Sequence, residues 1–457
     1  MNIITEKILE KIVYLFNTID TYFLISGIFG YLATTFFLHT PINYLALIFS
    51  SLFLLLVFKF ADFYLHYLFF LPLFTLLFFL MPNFNLSAAI LLFVVNIIFF
   101  YVTQFLFYSI PYLIIIGDYS IILRVIINSL FTFAPTSSSA IMSIYFSTLL
   151  SETIYFSNFY DPSYFFILAS FVIAAIITRR FVPQTLQSEN FKPEQKKLVQ
   201  RVIYLNIDGC RLDKFNSTNL TFIRSLERKS AVFKYGATTV YRALTNPAFA
   251  SILTGATPKE TGATNNNFHS GVTLQALPDL APTILYGNIH MKDIAKKHWN
   301  VKVISLPKHG LQSDDVLIEE LKDDLLKTNT RIFIADLCDV DLAGHAYGSG
   351  STYYTDALKR IDRRLEKFFT WLRKHKLLHD SLVMIGSDHG QAGMEHAYLF
   401  FKSEKYVPLI FHGSHVKAGV LEFVPSIIDI NLTISYALGI PYCASSRGRA
   451  LIEAFTK

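Results

Sequence analysis

Long apolar runs fill the first part of the chain and stop at Arg179 and Arg180. A bilayer core about 30 Å thick needs about 20 apolar residues per helix. The runs that reach or approach this length lie at roughly 21–39, 42–60, 63–81, 86–110, 138–156 and 163–178. Another stretch, 119–133, is shorter and contains Arg124. The pattern therefore predicts an α-helical multi-pass membrane domain at 1–178 with five to seven spans.

After Arg180 the pattern changes to short apolar runs between polar and helical segments. Residues 179–200 are polar and basic and lack apolar periodicity, which is typical of a linker along a membrane surface. The apolar runs VIYLNI, VKVISL, RIFIAD, SLVMIGS and VPLIF then alternate with helical segments such as 351–375. Such alternation indicates a mostly parallel central sheet flanked by helices. We predict an α/β domain at 201–457.

Composition and charge support this division of the chain. Apolar residues make up 53% of the 457 residues, which is high for an all-soluble protein. Residues 1–178 hold four Lys/Arg against seven Asp/Glu, so they carry −3, and the remainder carries +9 of the total +6. A basic domain beside a membrane favours anionic substrates or headgroups, although a plain solvated surface has the same composition. The three cysteines are too widely spaced for a Cys-x-x-Cys metal site, and we expect no nucleic-acid partner.

Candidate metal-binding residues lie where the predicted strands end. VIYLNI runs into Asp208, SLVMIGS runs into Asp388 and His389, and RIFIAD is followed by Asp341 and His345. A single Asp in such a position usually caps a helix or lies in a turn. However, ligand-binding residues lie just past the carboxyl ends of the strands in such sheets, so three acidic ends are expected to converge. Asp and His are zinc ligands, and the Asp-x-x-x-His spacing lets two side chains meet one ion.

An apolar helical segment, TNPAFASILTG, begins at Thr245 and lies between these acids. A Thr at the start of a helix ordinarily serves as an N-cap. The free N–H groups and the dipole at a helix start also favour an anionic oxygen, and two nearby metal ions would ionise the hydroxyl. Thr245 is therefore a candidate nucleophile, and the cap and nucleophile roles are compatible.

The order Asp-Gly, Thr-x-Pro to Leu-Thr-Gly, Asp-x-x-x-His and Ser-Asp-His-Gly resembles the alkaline phosphatase superfamily, especially its nucleotide pyrophosphatase/phosphodiesterase branch. The resemblance covers most of residues 201–420. It implies an α/β alkaline-phosphatase-like domain that binds two divalent metal ions, expected to be zinc. The implied ligands of one ion are Asp208, Thr245, Asp388 and His389.

The second ion would be held by Asp341, His345 and a later His. The sequence offers His396, His412 or His415 for that position, and the short spacing after Asp-His-Gly favours His396. The branch also places an Asn after the Leu-Thr-Gly helix, where it holds a phosphate oxygen. Asn266, in the stretch GATNNN, matches that position, and a plain polar loop is the alternative.

The resemblance implies a two-metal phosphodiesterase or phosphotransferase in which Thr245 takes up the phosphoryl group. Water or an alcohol then attacks, and no residue decides between the two, although we favour a hydrolase. The layout resembles bacterial phosphoethanolamine and phosphoglycerol transferases, which brings lipid-linked phosphoesters into the substrate class. Sulfatase members carry Cys or Ser followed by x-Pro-x-Arg, whereas this chain has Thr245 and Phe249, which disfavours formylglycine-dependent sulfatase activity.

Two other classes of function compete with this hypothesis. One is a catalytically inactive membrane scaffold with an alkaline-phosphatase-like domain, and zinc content would separate it from an enzyme. The other is a transporter with a regulatory domain, which the scarcity of intramembrane charges disfavours. The basic residues from Arg179 onward favour a cytoplasmic linker, but the resemblance favours an extracytoplasmic catalytic domain, and we expect the latter.

Overall fold

The computed structural model describes residues 197–456, apart from 265, 267, 269, 306–311, 395 and 397–400. It also describes seven isolated residues, at 32, 36, 39, 44, 48, 110 and 113. Apart from these, the predicted membrane domain at 1–178 and the linker up to 196 lie outside the described residues. Within the described part, no helix combines the length and the apolar character that crossing a bilayer requires.

The described α/β domain is built on one eight-stranded sheet. Its strand order is β10-β2-β9-β7-β1-β6-β4-β5, and β3 pairs separately with β8. Strands β7, β1, β6, β4 and β5 run parallel to one another, whereas β9 is antiparallel to both β7 and β2. The prediction of a mostly parallel central sheet is confirmed. The strands are β1 (Arg201–Ile207), β2 (Ala231–Phe233), β3 (Ala237–Thr238), β4 (Thr283–Gly287), β5 (Asn300–Val303), β6 (Ile332–Leu337), β7 (Ser381–Gly386), β8 (Tyr406–Val407), β9 (Leu409–His412) and β10 (Gly419–Leu421).

The central strands are apolar because they are covered on both faces. Along β1, Val202 and Tyr204 pack into one hydrophobic core, whereas Ile203 and Leu205 pack into the other. Parallel strands buried on both faces form nearly continuous apolar runs, and this is the signal that predicted β1, β6 and β7. Strand β4 was not among the predicted runs. Its sequence, TILYG, is short and ends in glycine.

Helices cover both faces of the sheet. Helices α3, α6 and α11 contribute to the core on one face, and α2, α7, α8 and α9 contribute to the core on the other. The predicted helix at 351–375 is confirmed as α9, which the Ser351 side chain caps by accepting from the Tyr354 N–H. The helices are α1 (Leu212–Ser217), α2 (Thr221–Glu227), α3 (Thr245–Thr254), α4 (Pro258–Thr261), α5 (Leu277–Leu280), α6 (Ile289–Ile294), α7 (Ser313–Lys327), α8 (Asp339–Tyr347), α9 (Thr352–Lys374), α10 (Lys402–Lys405) and α11 (Asp429–Leu438).

Candidate two-metal site

Three neighbouring parallel strands bring acidic residues to one edge of the sheet. Strand β1 lies between β6 and β7, with Asn206 in register with Asp336 on one side and Gly386 on the other. Asp208 and Asp388 follow β1 and β7 and therefore emerge at the same edge. Helix α8 starts directly after β6, so its first turn lies at this edge as well. The convergence expected from the sequence is present in the fold.

The first group of side chains comprises Asp208, Asp388 and His389, here called the dicarboxylate cluster. His389 Nε2 lies 3.4 Å from Asp208 Oδ1 and 3.3 Å from Asp388 Oδ2. All three side chains are buried. The same two carboxylate oxygens have no hydrogen-bond partner among the described residues. Buried carboxylate oxygens left in this way are costly, and together with an imidazole nitrogen they fit a divalent cation.

Burial disfavours the charged forms of the acids in the dicarboxylate cluster. Burial, followed by the charge of Asp388, raises the pKa of Asp208 well above its ordinary value, and burial raises the pKa of Asp388 to about 6. Burial lowers the pKa of His389 to about 4, so its imidazole is neutral at pH 7. Its Nδ1–H donates to the Gly390 carbonyl oxygen at 3.2 Å, which leaves the Nε2 lone pair facing the carboxylates. A bound cation would offset this concentration of negative charge.

The second group comprises Asp341, His345 and His396, here called the two-histidine cluster. The Nδ1–H of His345 donates to the Met394 carbonyl oxygen at 2.8 Å, and that of His396 donates to the Ala243 carbonyl oxygen at 2.6 Å. Because a carbonyl oxygen only accepts, Nδ1 of each ring carries the hydrogen, and the Nε2 of a neutral ring then has its lone pair available to a metal ion. The two Nε2 atoms lie 3.2 Å apart, and Asp341 Oδ2 lies 3.3 Å from that of His345. Two facing lone pairs beside a carboxylate fit a metal ion between them.

Asp341 and His396 in the two-histidine cluster are deprotonated at neutral pH without a metal ion. Burial alone would raise the pKa of Asp341, but the imidazoles of His345, His396 and His389 outweigh it and lower this pKa well below its ordinary value. Burial, followed by the proximity of His389, lowers the pKa of His396 to about 3. At neutral pH the Asp341 carboxylate is therefore charged and the His396 imidazole is neutral, as metal binding requires.

Thr245 lies where the two clusters meet. Its Oγ1 is 3.3 Å from His389 Nε2, and the His389 ring stacks on the His396 ring with 3.8 Å between centroids. Helix α3 begins at Thr245, and Leu244 occupies the cap position. Among the described residues the Thr245 hydroxyl accepts no backbone N–H, so the structure shows the contact with the cluster and not the cap that the sequence also allowed.

Asn266 lies against the start of the same helix. Its Oδ1 accepts the Asn246 N–H at 3.0 Å, and its carbonyl oxygen accepts from the Asn246 side-chain amide at 3.1 Å. The Asn246 Oδ1 in turn lies 3.1 Å from Nδ1 of His290 on α6. Asn266 is buried. Its side-chain NH₂ has no acceptor among the described residues, and it remains a donor for an anionic ligand beside Thr245.

Two further buried polar residues lie in this region, Asn206 and Asp336, and neither was predicted from the sequence. Asn206 Nδ2 donates to Asp336 Oδ1 at 2.8 Å and to Asp388 Oδ1 at 3.0 Å, while Tyr204 OH donates to Asn206 Oδ1 at 3.0 Å. Burial, followed by the charge of Asp388, raises the pKa of Asp336 well above its ordinary value. The available signal was a polar residue inside each of the apolar runs VIYLNI and RIFIAD. Asp336 and Cys338 also lie within metal-ligand reach of Asp208.

The two other histidines that the sequence offered as ligands lie elsewhere. His412 is the last residue of β9 and pairs with Val383 near the amino end of β7, away from the edge that carries Asp388. Its Nδ1 lies 3.0 Å from Ser230 Oγ. His415 is exposed in the following loop. Of the three candidates, the structure brings His396 to the two-histidine cluster.

One known family model matches the part of the chain that contains the candidate site. The family model described as type I phosphodiesterase / nucleotide pyrophosphatase matches residues 202–279 and 281–422. These segments contain all members of both clusters together with Thr245 and Asn266.

Curated relatives and solved structures are similar over part of the chain. Arylsulfatase K of Danio rerio is 29% identical over 110 residues, covering 23% of this chain and 21% of the relative. Arylsulfatase K of Homo sapiens is 30% identical over 105 residues, covering 22% and 20%. The match thus spans about a fifth of these relatives. The solved structure of murine ectonucleotide pyrophosphatase / phosphodiesterase 5 aligns with a TM-score of 0.48 and 11% identity, and the alignment covers 56% of this chain and 100% of that one. The structure of alkaline phosphatase PafA aligns with a TM-score of 0.46 and 12% identity, covering 57% of this chain and 100% of that one.

Proposed function

We propose that this chain is a metal-dependent phosphodiesterase in which Thr245 is the nucleophile. The observation that carries the proposal is the position of the Thr245 hydroxyl, 3.3 Å from His389 Nε2, where two buried Asp/His clusters meet. The match to the type I phosphodiesterase model supports phosphodiesters as the substrate class. Such a pair of Asp/His sites suits zinc, which prefers nitrogen and carboxylate ligands and leaves an open position in catalytic sites.

The dicarboxylate cluster and the Thr245 hydroxyl would hold one ion, and the two-histidine cluster would hold the other. Ions bound there would lower the pKa of the Thr245 hydroxyl and offset the charge on the phosphoryl oxygens. The buried imidazoles of His389 and His396 are neutral at pH 7 because of their lowered pKa values, so each offers a lone pair. The donor set of both clusters therefore fits the ions that the proposal requires.

Thr245 Oγ would attack the phosphorus atom, and the bond to the leaving alcohol would break as the new O–P bond forms. The hydroxyl proton passes to solvent, and the departing alkoxide takes up a proton from solvent to become the alcohol. Water then attacks phosphorylated Thr245, releasing a phosphomonoester and restoring the hydroxyl. The Asn266 amide donates to a phosphoryl oxygen while its Oδ1 stays on the Asn246 N–H. An acceptor alcohol in place of water would make the protein a transferase.

We further propose that residues 1–178 anchor this domain to a membrane and that it acts on the extracytoplasmic side on lipid-linked phosphoesters. The apolar runs of spanning length support the anchor. The basic balance of the remainder supports an anionic substrate at the membrane surface. Retention of the full-length protein in membranes after a carbonate wash tests the anchor, and release by the wash contradicts it.

The nucleophile is tested by Thr245→Ala and Thr245→Ser in the full-length protein with bis(4-nitrophenyl) phosphate. We expect the Ala variant to lose roughly 10³-fold or more in kcat/KM, because no group remains to take up the phosphoryl. The Ser variant should retain partial activity. Both variants should keep most of their bound metal and a nearly unchanged melting temperature. Full activity in Thr245→Ala would overturn the proposed mechanism.

The similarity to arylsulfatase K makes sulfate esters the competing substrate class. The same preparation should therefore be given 4-nitrophenyl sulfate. We expect much slower turnover than with the phosphodiester, because Thr245 cannot be converted to formylglycine. Faster turnover of the sulfate ester would favour a sulfatase. A zinc-free protein without turnover of either ester would favour the inactive membrane scaffold.

A further inference from the structure

Asp341 has a buried neutral partner, Gln391, that lies outside both clusters. Gln391 Nε2 donates to Asp341 Oδ1 and to the Asp341 carbonyl oxygen, the latter at 3.2 Å. Both partners are acceptors, so the NH₂ end of the Gln391 amide must face Asp341. The other carboxylate oxygen, Oδ2, lies 3.3 Å from His345 Nε2. The two oxygens of Asp341 therefore have different surroundings.

The backbone around Asp341 is shaped to admit this glutamine. A Cβ placed on Gly344 would lie 1.6 Å from Gln391 Oε1 and 2.4 Å from its Cδ, so any other residue at 344 would displace the amide. Gln391 is fully buried, and because protein interiors are close-packed, an added methyl group at 344 is expected to disturb its contacts. Gly209 has φ +67°, and a Cβ there would lie 2.6 Å from Asp341 Oδ1. Gly209 and Gln391 thus both lie against the same oxygen.

We infer that Gln391 is a positioning residue of the two-histidine cluster and that Gly344 is glycine in order to seat it. Asp341 Oδ1, which accepts from Gln391, lies 3.8 Å from His396 Nε2, while Oδ2 lies 3.3 Å from His345 Nε2. By binding Oδ1, Gln391 holds the carboxylate in the one rotamer that places its oxygens beside both histidines. A neutral amide suits this role because Lys or Arg would repel the cation, whereas Glu would add a further carboxylate. The inference rests on the proposed function, since it requires a metal ion at Asp341, His345 and His396.

The first test measures zinc affinity at both clusters by chelator competition in full-length protein carrying Gln391→Met. Methionine keeps the volume of glutamine but cannot donate a hydrogen bond. We expect zinc binding at the two-histidine cluster to weaken about 10- to 100-fold, the range found for partners of metal ligands, with no change at the dicarboxylate cluster. Wild-type affinity in this variant would show that the residue only fills space and would overturn the inference.

The second test is a mutant cycle of Gly344→Ala, Gln391→Ala and their combination. Gly344→Ala alone should weaken zinc binding at the two-histidine cluster because the new methyl group displaces Gln391. In the Gln391→Ala background it should cost little more, since the clash is gone. An equal loss in both backgrounds would overturn the role given to Gly344. If the proposed function is wrong, the result is a different one: the wild-type protein itself would bind no zinc. That outcome also excludes this role for Gln391.

Discussion

The two clusters use similar ligands but differ in their electrostatic state before any ion binds. In the dicarboxylate cluster burial raises the pKa of both acids, the charge of Asp388 raises that of Asp208 further, and the oxygens of Asp208 and Asp388 that face His389 lack hydrogen bonds among the described residues. In the two-histidine cluster a single acid, Asp341, has its pKa lowered by the imidazoles around it. A cation would therefore offset a costly burial of negative charge in the first cluster, whereas the second already favours the charged form of its one acid.

The two clusters therefore contribute differently to the site: one has its ring orientations fixed in advance, and the other has the stronger need for a cation. The two-histidine cluster is held by hydrogen bonds from each Nδ1–H to a backbone carbonyl, which fixes ring orientation in advance. The dicarboxylate cluster, which contacts Thr245, has the stronger need for positive charge. A cation there would lie beside the proposed nucleophile, where lowering the pKa of a hydroxyl is most useful.

The largest expected effect comes from Asp208→Asn, which removes one charge from the dicarboxylate cluster. Zinc content should fall from about two ions to about one, and phosphodiesterase activity should fall roughly 10³-fold or more. The metal-free variant should nevertheless melt at a higher temperature than the metal-free wild type, because a raised pKa means that the Asp208 carboxylate destabilises the fold at neutral pH. Asp323→Asn, an exposed acid on α7, is the matched control. Two bound ions with normal activity in Asp208→Asn would contradict the comparison.

An intermediate effect is expected from His396→Ala, which removes a ligand from the two-histidine cluster. Zinc affinity there should fall by at least about 100-fold, and excess zinc should restore part of the activity, because two ligands remain. Binding at the dicarboxylate cluster should not change. His412→Ala and His415→Ala serve as controls and should bind zinc normally. Normal metal content in His396→Ala would return the ligand role to one of those two histidines.

The smallest effect is a difference in the pH dependence of zinc binding. Because the pKa of Asp388 is raised to about 6, protons compete with zinc below that pH. The affinity of the dicarboxylate cluster should therefore fall by at least about tenfold per pH unit as the pH drops. At the two-histidine cluster the pKa of Asp341 is lowered and that of His396 is about 3, so neither group takes up a proton in this range. Chelator competition on either side of pH 6 measures the slope at the dicarboxylate cluster, and an affinity there that does not change with pH would contradict the prediction.

Much of the fold could be predicted because the central strands are buried on both faces. Their apolar runs stand out, and the acids that follow β1 and β7 mark the edge where they converge. Strand β4 escaped prediction because its five residues carry no distinctive signal beside the stronger runs. The membrane domain and its sidedness stay predictions, since they concern residues outside the described part of the chain.

The site was only partly predictable for a different physical reason. Asp and His at strand ends are chemically conspicuous, so both clusters could be anticipated from their residue types. Asn206 and Gln391 are ordinary amides, and their importance comes from contacts with residues far away in the chain, such as Asp388. The role of Gly344 likewise depends on the Gln391 side chain that packs against it. Such relationships exist only in three dimensions.

The most direct test of the central claim is a zinc titration of the metal-free, full-length protein followed by phosphodiesterase activity. We expect two equivalents of zinc to bind per chain. Full turnover should appear only as the second equivalent binds, because Thr245 lies where both clusters meet. Activity that saturates at one equivalent, or that is independent of zinc, would contradict a two-metal site built from these residues.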